Sequence, residues 1–174
     1  MFVLVIGLFA LAGCDTDDTA IRDNLIEEAL VAPRTVDRPF KGEGFGVDAA
    51  ATGTLSCALP AFERAVQGEG TATHIGRYTT LITECFNPET FMSTGYARIY
   101  APNGDMLHQD FVIQYYQLPE DPPYVVHGMF TTWTFNGGAS TGRFEGVTGT
   151  GTGTVLGDLA AGRYEWDLEG TINY

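Results

Sequence analysis

The amino-acid sequence predicts an all-β domain of seven or eight strands, arranged as a barrel or a sandwich. The 174-residue chain contains 22 glycines, 11 phenylalanines and 8 tyrosines. Aromatic and β-branched residues favour strands, whereas glycine suits the turns between them. After Ala32, no long stretch of the sequence has apolar residues at helical spacing. Residues 163–174 instead alternate apolar and polar side chains, which is the pattern of a strand with one buried face.

The first element is an uncharged, apolar run, residues 1–13, that closes in Leu11-Ala12-Gly13-Cys14. It resembles the signal peptide and lipobox of bacterial lipoproteins, although no Lys or Arg precedes Gly13. The run is too short for a transmembrane helix, which needs about 20 residues. The resemblance implies that Cys14 becomes the lipid-bearing N-terminus and anchors the protein to a membrane of the bacterial cell envelope. The alternative is a buried strand or short helix.

Residues 14–39 are expected to form the lipidated anchor and a helical or disordered leash. The acidic cluster at 15–18 is similar to lipoprotein sorting signals, which specify the inner membrane in some bacteria and the outer surface in others. The alternative is a solvated, disordered segment with no role in sorting. Pro33 and Pro39 end this region, so the folded domain should cover residues 40–174. A short helix is expected before Pro33 because apolar residues recur there at helical spacing: Ile21, Leu25, Ile26, Ala29 and Leu30.

Turn signals divide residues 40–174 into strands. Asn103-Gly104 supplies the positive φ angles of a tight hairpin, and the prolines of 119–123 mark another turn. The expected strands cover residues 42–57, 68–85, 96–101, 105–118, 124–135, 147–156 and 163–174.

The glycines follow a pattern. In residues 148–154 every threonine faces one side and every glycine the other, so a strand here has a bare face that a backbone or a ligand can approach closely. Residues 42–46 and 68–72 repeat this pattern. A flexible linker is the alternative, but threonine is a strand former.

Cys57 and Cys85 are the cysteines left once Cys14 carries lipid. An oxidising envelope allows them to pair, which predicts a disulfide that closes a loop of about 29 residues. The pairing requires the 68–85 segment to bend, for example at Gly76, because a straight hairpin would hold the two sulfurs apart. The alternative is two reduced, buried thiols.

Composition and motifs exclude several classes of function. A net charge of −13 argues against nucleic acid as a partner. No phosphate loop, nucleophile elbow or His-Glu-x-x-His motif occurs, so neither a cofactor nor a hydrolase is expected. No metal site is expected, because no Cys or carboxylate stands at ligand spacing from the three histidines, which are His74, His108 and His127.

Four segments, residues 70–79, 101–105, 137–149 and 169–174, carry glycine motifs in a specific order. The most specific is Gly137-Gly138, then residues 141–144 (Thr-Gly-Arg-Phe), then Glu145-Gly146, with one extra residue before Thr141. The set resembles bacterial proteins with the barrel of allene oxide cyclases and plant dirigent proteins. The resemblance implies an eight-stranded antiparallel barrel with an apolar interior, which binds or cyclises hydrophobic oxylipins or phenolic radicals. Catalytic residues of that family do not match here one by one.

Strand parity predicts a ligand pocket. His127 is expected to share a face with Trp133, and Arg98 with Tyr96, so each polar group lies among aromatic side chains, as in small-ligand cavities. In the alternative, His127 and Arg98 lie on the solvated outer face. The candidate ligand-binding residues are His74, Tyr78, Tyr96, Arg98, His127, Trp133 and Trp166.

Two functions follow as expectations. The favoured one is a lipid-anchored envelope protein whose barrel binds a small hydrophobic ligand or a partner protein. The alternative is an isomerase or cyclase of the allene oxide cyclase or dirigent type, which can act by orienting a reactive substrate. A cavity of about 300 Å³ or more that contains a carboxylate or histidine favours the enzyme, whereas a filled barrel favours binding to a partner.

Overall fold

A computed structural model describes residues 36–174, which form a closed antiparallel barrel of eight strands. Each strand pairs with its neighbours in sequence, and the first pairs with the last. The predicted all-β barrel is confirmed. The predicted signal peptide, Cys14 and the helical stretch of the leash lie outside the described residues. The strands are β1 Arg38–Ala49, β2 Phe62–Ala72, β3 Gly76–Asn87, β4 Met92–Tyr100, β5 Met106–Tyr116, β6 Val125–Phe135, β7 Thr150–Asp158 and β8 Arg163–Ile172.

Two of the predicted strand ranges were wrong. The range 68–85 contains a hairpin turn at residues 73–75, where His74 and Gly76 have positive φ angles of 67° and 82°. The range 42–57 ends early, because β1 stops at Ala49 and residues 50–61 form a loop. Both errors arose because small and β-branched residues continue through the turn and the loop, so no change in composition marks them.

The predicted shared face of His127 and Trp133 was also wrong. The registers of β6 with β5 and with β7 shift between Phe130 and Trp133, because Thr131 is an extra residue in a β-bulge. A bulge reverses the alternation of side chains beyond it. Val126, Phe130 and Trp133 are therefore buried, and His127 lies on the outer face.

Aromatic side chains fill the barrel opposite its glycines. The Trp166 ring covers Gly44 so closely that a β-carbon there would lie 2.7 Å from the ring. The Trp133 ring lies in the same way over Gly151 and Gly170. These bare faces lie in strands, as the alternation predicts, and side chains from neighbouring strands cover them.

The two ends of the barrel differ. The Phe40 end, with the connections 73–75, 101–105 and 136–149, is filled by rings: Phe40 lies 5.5 Å from Trp133 and 5.0 Å from Phe135, centroid to centroid. Phe144, in the short 3-10 helix Gly142–Phe144, is fully buried. The Arg64 end, with the loops 50–61, 88–91, 117–124 and 159–162, contains polar groups instead.

The loop 50–61 at the Arg64 end is tied down at several points. A disulfide joins Cys57 to Cys85, with 5.5 Å between their Cα atoms. The Glu63 carboxylate accepts hydrogen bonds from the backbone N–H groups of Gly53 (2.7 Å) and Leu55 (2.9 Å). The hairpin turn at 73–75 brings Cys85 to this end of the barrel, because β3 runs back beside β2 with Cys85 opposite Glu63.

Candidate functional site

A cavity of about 40 Å³ lies inside the barrel. Because a buried water needs at least about 10–15 Å³, this volume accommodates a few waters and is far below the roughly 300 Å³ of common ligand pockets. Its walls are mostly apolar, and its polar character comes from a few side chains. The lining residues are Arg64, Val66, Tyr78, Thr80, Ile82, Glu84, Ala97, Ile99, Gln109, Phe111, Ile113, Tyr115, Phe130, Val155, Tyr164, Trp166 and Leu168.

A hydrogen-bonded polar cluster forms the Arg64 end of this cavity. Arg64 donates from Nη2 to the Tyr164 hydroxyl at 2.6 Å, and its Nε lies 3.6 Å from Oε1 of Glu84. Tyr115 donates to Oε2 of Glu84 at 3.4 Å, and Tyr164 donates to Oδ1 of Asp48 at 2.9 Å. We call Asp48, Arg64, Glu84, Tyr115 and Tyr164 the polar cluster.

Burial changes the acidity of these groups. Removal from water raises the pKa of Glu84, although the charge of Arg64 acts in the opposite direction. Burial also raises the pKa of Tyr164 to about 12, and it raises the pKa of Tyr115 well above its ordinary value. The hydroxyls of Tyr115 and Tyr164 therefore stay protonated, and they act as hydrogen-bond donors to carboxylates.

A second polar element lies deeper in the cavity. Gln109 is 2% exposed, and its Nε2 has no hydrogen-bond partner among residues 36–174. Tyr78, also in the wall, donates its hydroxyl to the backbone oxygen of Glu43 at 3.0 Å and accepts from Nε1 of Trp166 at 3.0 Å. Burial raises the pKa of Tyr78 to about 12.

Outside the polar cluster, a surface depression of about 430 Å³ opens at the Arg64 end. Arg64 and Tyr164 line both the depression and the inner cavity. The Arg64 guanidinium lies 5.3 Å from the centre of the Phe86 ring and 5.2 Å from that of Tyr164. These side chains therefore separate the cavity from the surface.

The structure brings only some of the predicted ligand-binding residues to the cavity. Tyr78 and Trp166 line it. Trp133 is buried but belongs to the aromatic packing of the Phe40 end. The other four do not line the cavity, because they lie in a turn or on the outer face of the barrel: His74, Tyr96, Arg98 and His127.

The predicted polar residues that lie outside the cavity have partners on the barrel surface. His127 lies 2.7 Å from a carboxylate oxygen of Asp121. Arg98 donates to the Tyr96 hydroxyl at 2.9 Å. His74, in the turn before β3, contacts the backbone oxygen of Pro39 at 3.1 Å. Arg98 and His127 therefore lie on the outer face, which is the alternative that the sequence left open, and not inside the barrel.

The candidate residues predicted from the sequence did not include the following residues of the site: Arg64, Glu84, Asp48, Tyr115, Tyr164 and Gln109. A usable signal existed for the first two. Arg64 and Glu84 stand ten residues on either side of His74 and lie directly opposite each other in the β2–β3 register. A hairpin centred on His74 therefore pairs them, but that turn was not recognised.

Within residues 36–174 there is no group of three or more His, Cys, Asp or Glu side chains placed to hold a metal ion. The same part of the chain contains no helix long and apolar enough to cross a membrane. The chain matches no protein family, no curated protein and no solved structure. The resemblance to the allene oxide cyclase and dirigent barrels therefore stays a prediction.

Proposed function

We propose that this chain is a lipid-anchored protein of the bacterial cell envelope whose barrel binds a small, mostly apolar molecule. The observation that carries the proposal is a buried ion pair, Arg64 with Glu84 at 3.6 Å, in the wall of a mostly apolar cavity. Buried charges are costly, and those in an apolar cavity with strongly perturbed pKa values mark candidate binding sites.

The cavity must enlarge to take such a molecule. At about 40 Å³ it is closed to organic ligands, but only Arg64 and Tyr164 line both this cavity and the depression of about 430 Å³ outside. The Arg64 side chain is 15% exposed and forms part of the wall between the two spaces, so its rotation toward solvent, with loss of its contacts to Tyr164 and Glu84, would open that wall. Rotation would join the two spaces into one pocket within the usual range for ligands.

Tryptophan fluorescence tests this proposal. The chain has two tryptophans, and only Trp166 lines the cavity. Trp133→Phe leaves Trp166 as the reporter, and Trp166→Phe is the matched control. In a screen of fatty acids, oxylipins and small phenols, a ligand should change the emission of the first variant, leave that of the second nearly unchanged, and raise the melting temperature. No response in either property across the screen would contradict ligand binding and leave binding to a partner protein.

The anchor is proposed from the lipobox-like residues 11–14. Metabolic labelling with a palmitate analogue in a bacterial host should mark the wild-type chain and not Cys14→Ser. Cys57→Ser is the matched control, because it removes a different cysteine and should keep the label. Label that persists in Cys14→Ser would refute the anchor.

Glu84 favours a second candidate function, isomerisation or cyclisation of a reactive hydrophobic substrate. Its buried carboxyl, with a raised pKa, lies between Arg64 and Tyr115 and can hold or move a proton beside a bound molecule. A chiral cavity should convert an unstable epoxide into one enantiomer of its cyclic product, whereas spontaneous closure yields a racemate. A racemate from the wild type as well as from Glu84→Gln would reject this candidate.

A further inference from the structure

Gln109 has a special position in the cavity wall. In the register of β3, β4 and β5 it is level with Ala97 and Ile82, two residues along the strands from the row that contains Glu84. Two residues correspond to roughly 7 Å. On its other side Gln109 pairs with Phe135 of the aromatic Phe40 end. Its amide therefore lies between the polar cluster and the aromatic side chains of the Phe40 end.

Every other polar side chain in the cavity wall has a partner. Thr80 donates to the backbone oxygen of Arg98 at 3.1 Å. The cluster residues bond to one another, and Tyr78 bonds to Trp166 and to the backbone. The Gln109 amide nitrogen is the exception among the wall residues. Buried donors are rarely left without an acceptor, because each costs the free energy of its lost hydration.

We infer that Gln109 is the donor that recognises the ligand, and that the ligand bears an uncharged acceptor oxygen, such as a ketone or ester, on an apolar skeleton. This inference rests on the proposed ligand-binding function and specifies its chemistry. The acceptor oxygen lies at Nε2 of Gln109, and the apolar part contacts the surrounding wall, which includes Ile82, Phe111 and Trp166.

The polar cluster disfavours an anionic ligand. Arg64 is its one cation and is already bonded to Tyr164 and paired with Glu84, while Asp48 adds a second carboxyl. A ligand carboxylate would therefore meet two acidic groups and a guanidinium whose charge is already shared. The net charge of −13 acts in the same direction.

Three probes of nearly equal size test the inference: acetophenone, isopropylbenzene and benzoate. They present a ketone oxygen, a methyl group and a charged carboxylate at the same place. Binding is followed by the NMR signal of the Trp166 indole N–H in the full chain, with Trp133 as the internal reference. Acetophenone should bind the wild type most tightly.

Two variants locate the donor. Gln109→Leu should lower the affinity for acetophenone by about 3- to 10-fold, which is the effect of one neutral hydrogen bond. The affinity for isopropylbenzene should stay the same or increase. Gln109→Met, which has a similar length but no hydrogen-bond donor, should weaken the binding of acetophenone as well. Gln109→Leu should melt no lower than the wild type, because it removes an unpartnered polar group. A purely structural role for Gln109 predicts a lower melting temperature instead.

The outcomes separate this inference from the function on which it rests. Tightest binding by benzoate, or acetophenone affinity unchanged in Gln109→Leu, overturns the inference while ligand binding stands. Equal binding of acetophenone and isopropylbenzene does the same. If none of the three probes shifts the Trp166 signal, the inference is overturned, and a negative ligand screen would then overturn the binding function as well.

Discussion

Removal of Arg64 should destabilise the barrel in a way that depends on pH. Arg64→Met keeps much of the side-chain length but leaves Glu84, which is 2% exposed, without its cation. Loss of one partner of a buried ion pair costs about 3–5 kcal/mol. It also removes the hydrogen bond from Arg64 to Tyr164, worth about 1–2 kcal/mol.

The direction of the pH effect follows from Glu84. Its pKa in the fold is already raised by burial, and the loss of the Arg64 charge raises it further. The unfolded chain releases the Glu84 proton at a pKa of about 4.3, whereas the folded protein releases it only at a higher pH. The folded state is therefore most stable with respect to this group below that pKa, and stability is lost as the pH rises toward the folded pKa. The loss of stability in Arg64→Met should therefore be small near pH 5, mainly the roughly 1–2 kcal/mol of the hydrogen bond. Near pH 8 the unpaired Glu84 should add about 3–5 kcal/mol to this loss.

Urea unfolding of the wild type and Arg64→Met at pH 5 and pH 8 measures this effect. The double variant Arg64→Met/Glu84→Met is the control, because replacement of both charges by apolar groups is often neutral or stabilising. It should recover most of the loss at pH 8. An equal loss at both pH values, with no recovery in the double variant, would refute the view that Glu84 depends on Arg64.

Three further perturbations have expected outcomes. Cys57→Ser/Cys85→Ser should lower the free energy of unfolding by about 3.5 kcal/mol, the chain-entropy value for the loop it opens; a loss below about 1 kcal/mol would show that the unfolded chain gains little freedom. Gly44→Ala should cost about 1–3 kcal/mol through overpacking, since its β-carbon would lie 2.7 Å from the Trp166 ring, whereas Gly138→Ala, 3.6 Å from its nearest neighbour, should be nearly neutral by thermal unfolding. Glu63→Ala should speed hydrogen exchange at the Gly53 and Leu55 amides, and unchanged exchange would mean that other contacts hold the loop. In the wild type the same amides should lose protection only at acid pH, because hydrogen bonds from Leu55, Thr52 and Gly53 lower the pKa of Glu63.

The outer-face residues show how one backbone irregularity decides a site. The alternation that places His127 with Trp133 is valid for a regular strand. The extra residue Thr131 breaks it, so Trp133 enters the core and His127 pairs with Asp121 outside. A single inserted residue moves every side chain beyond it to the other face, and nothing in the composition of residues 125–135 marks the insertion.

Local sequence determined the class of fold and the faces of the regular strands. Alternation in residues 163–174 places Tyr164, Trp166 and Leu168 on one buried face, and alternating Gly and Thr produce the bare face of β7. These features are readable because a strand's periodicity of two depends only on neighbouring residues and on which of them are apolar.

Only the closed barrel decided which polar groups meet inside it. Arg64 and Glu84 each appear in the sequence as an ordinary charged residue, and they become a buried pair because the hairpin sets them opposite each other. Tyr115 and Tyr164 reach the pair from β5 and β8, strands distant along the chain. Burial and contact between such groups are properties of strand register and closure, which no local pattern encodes, so the candidate site emerged only from the tertiary structure.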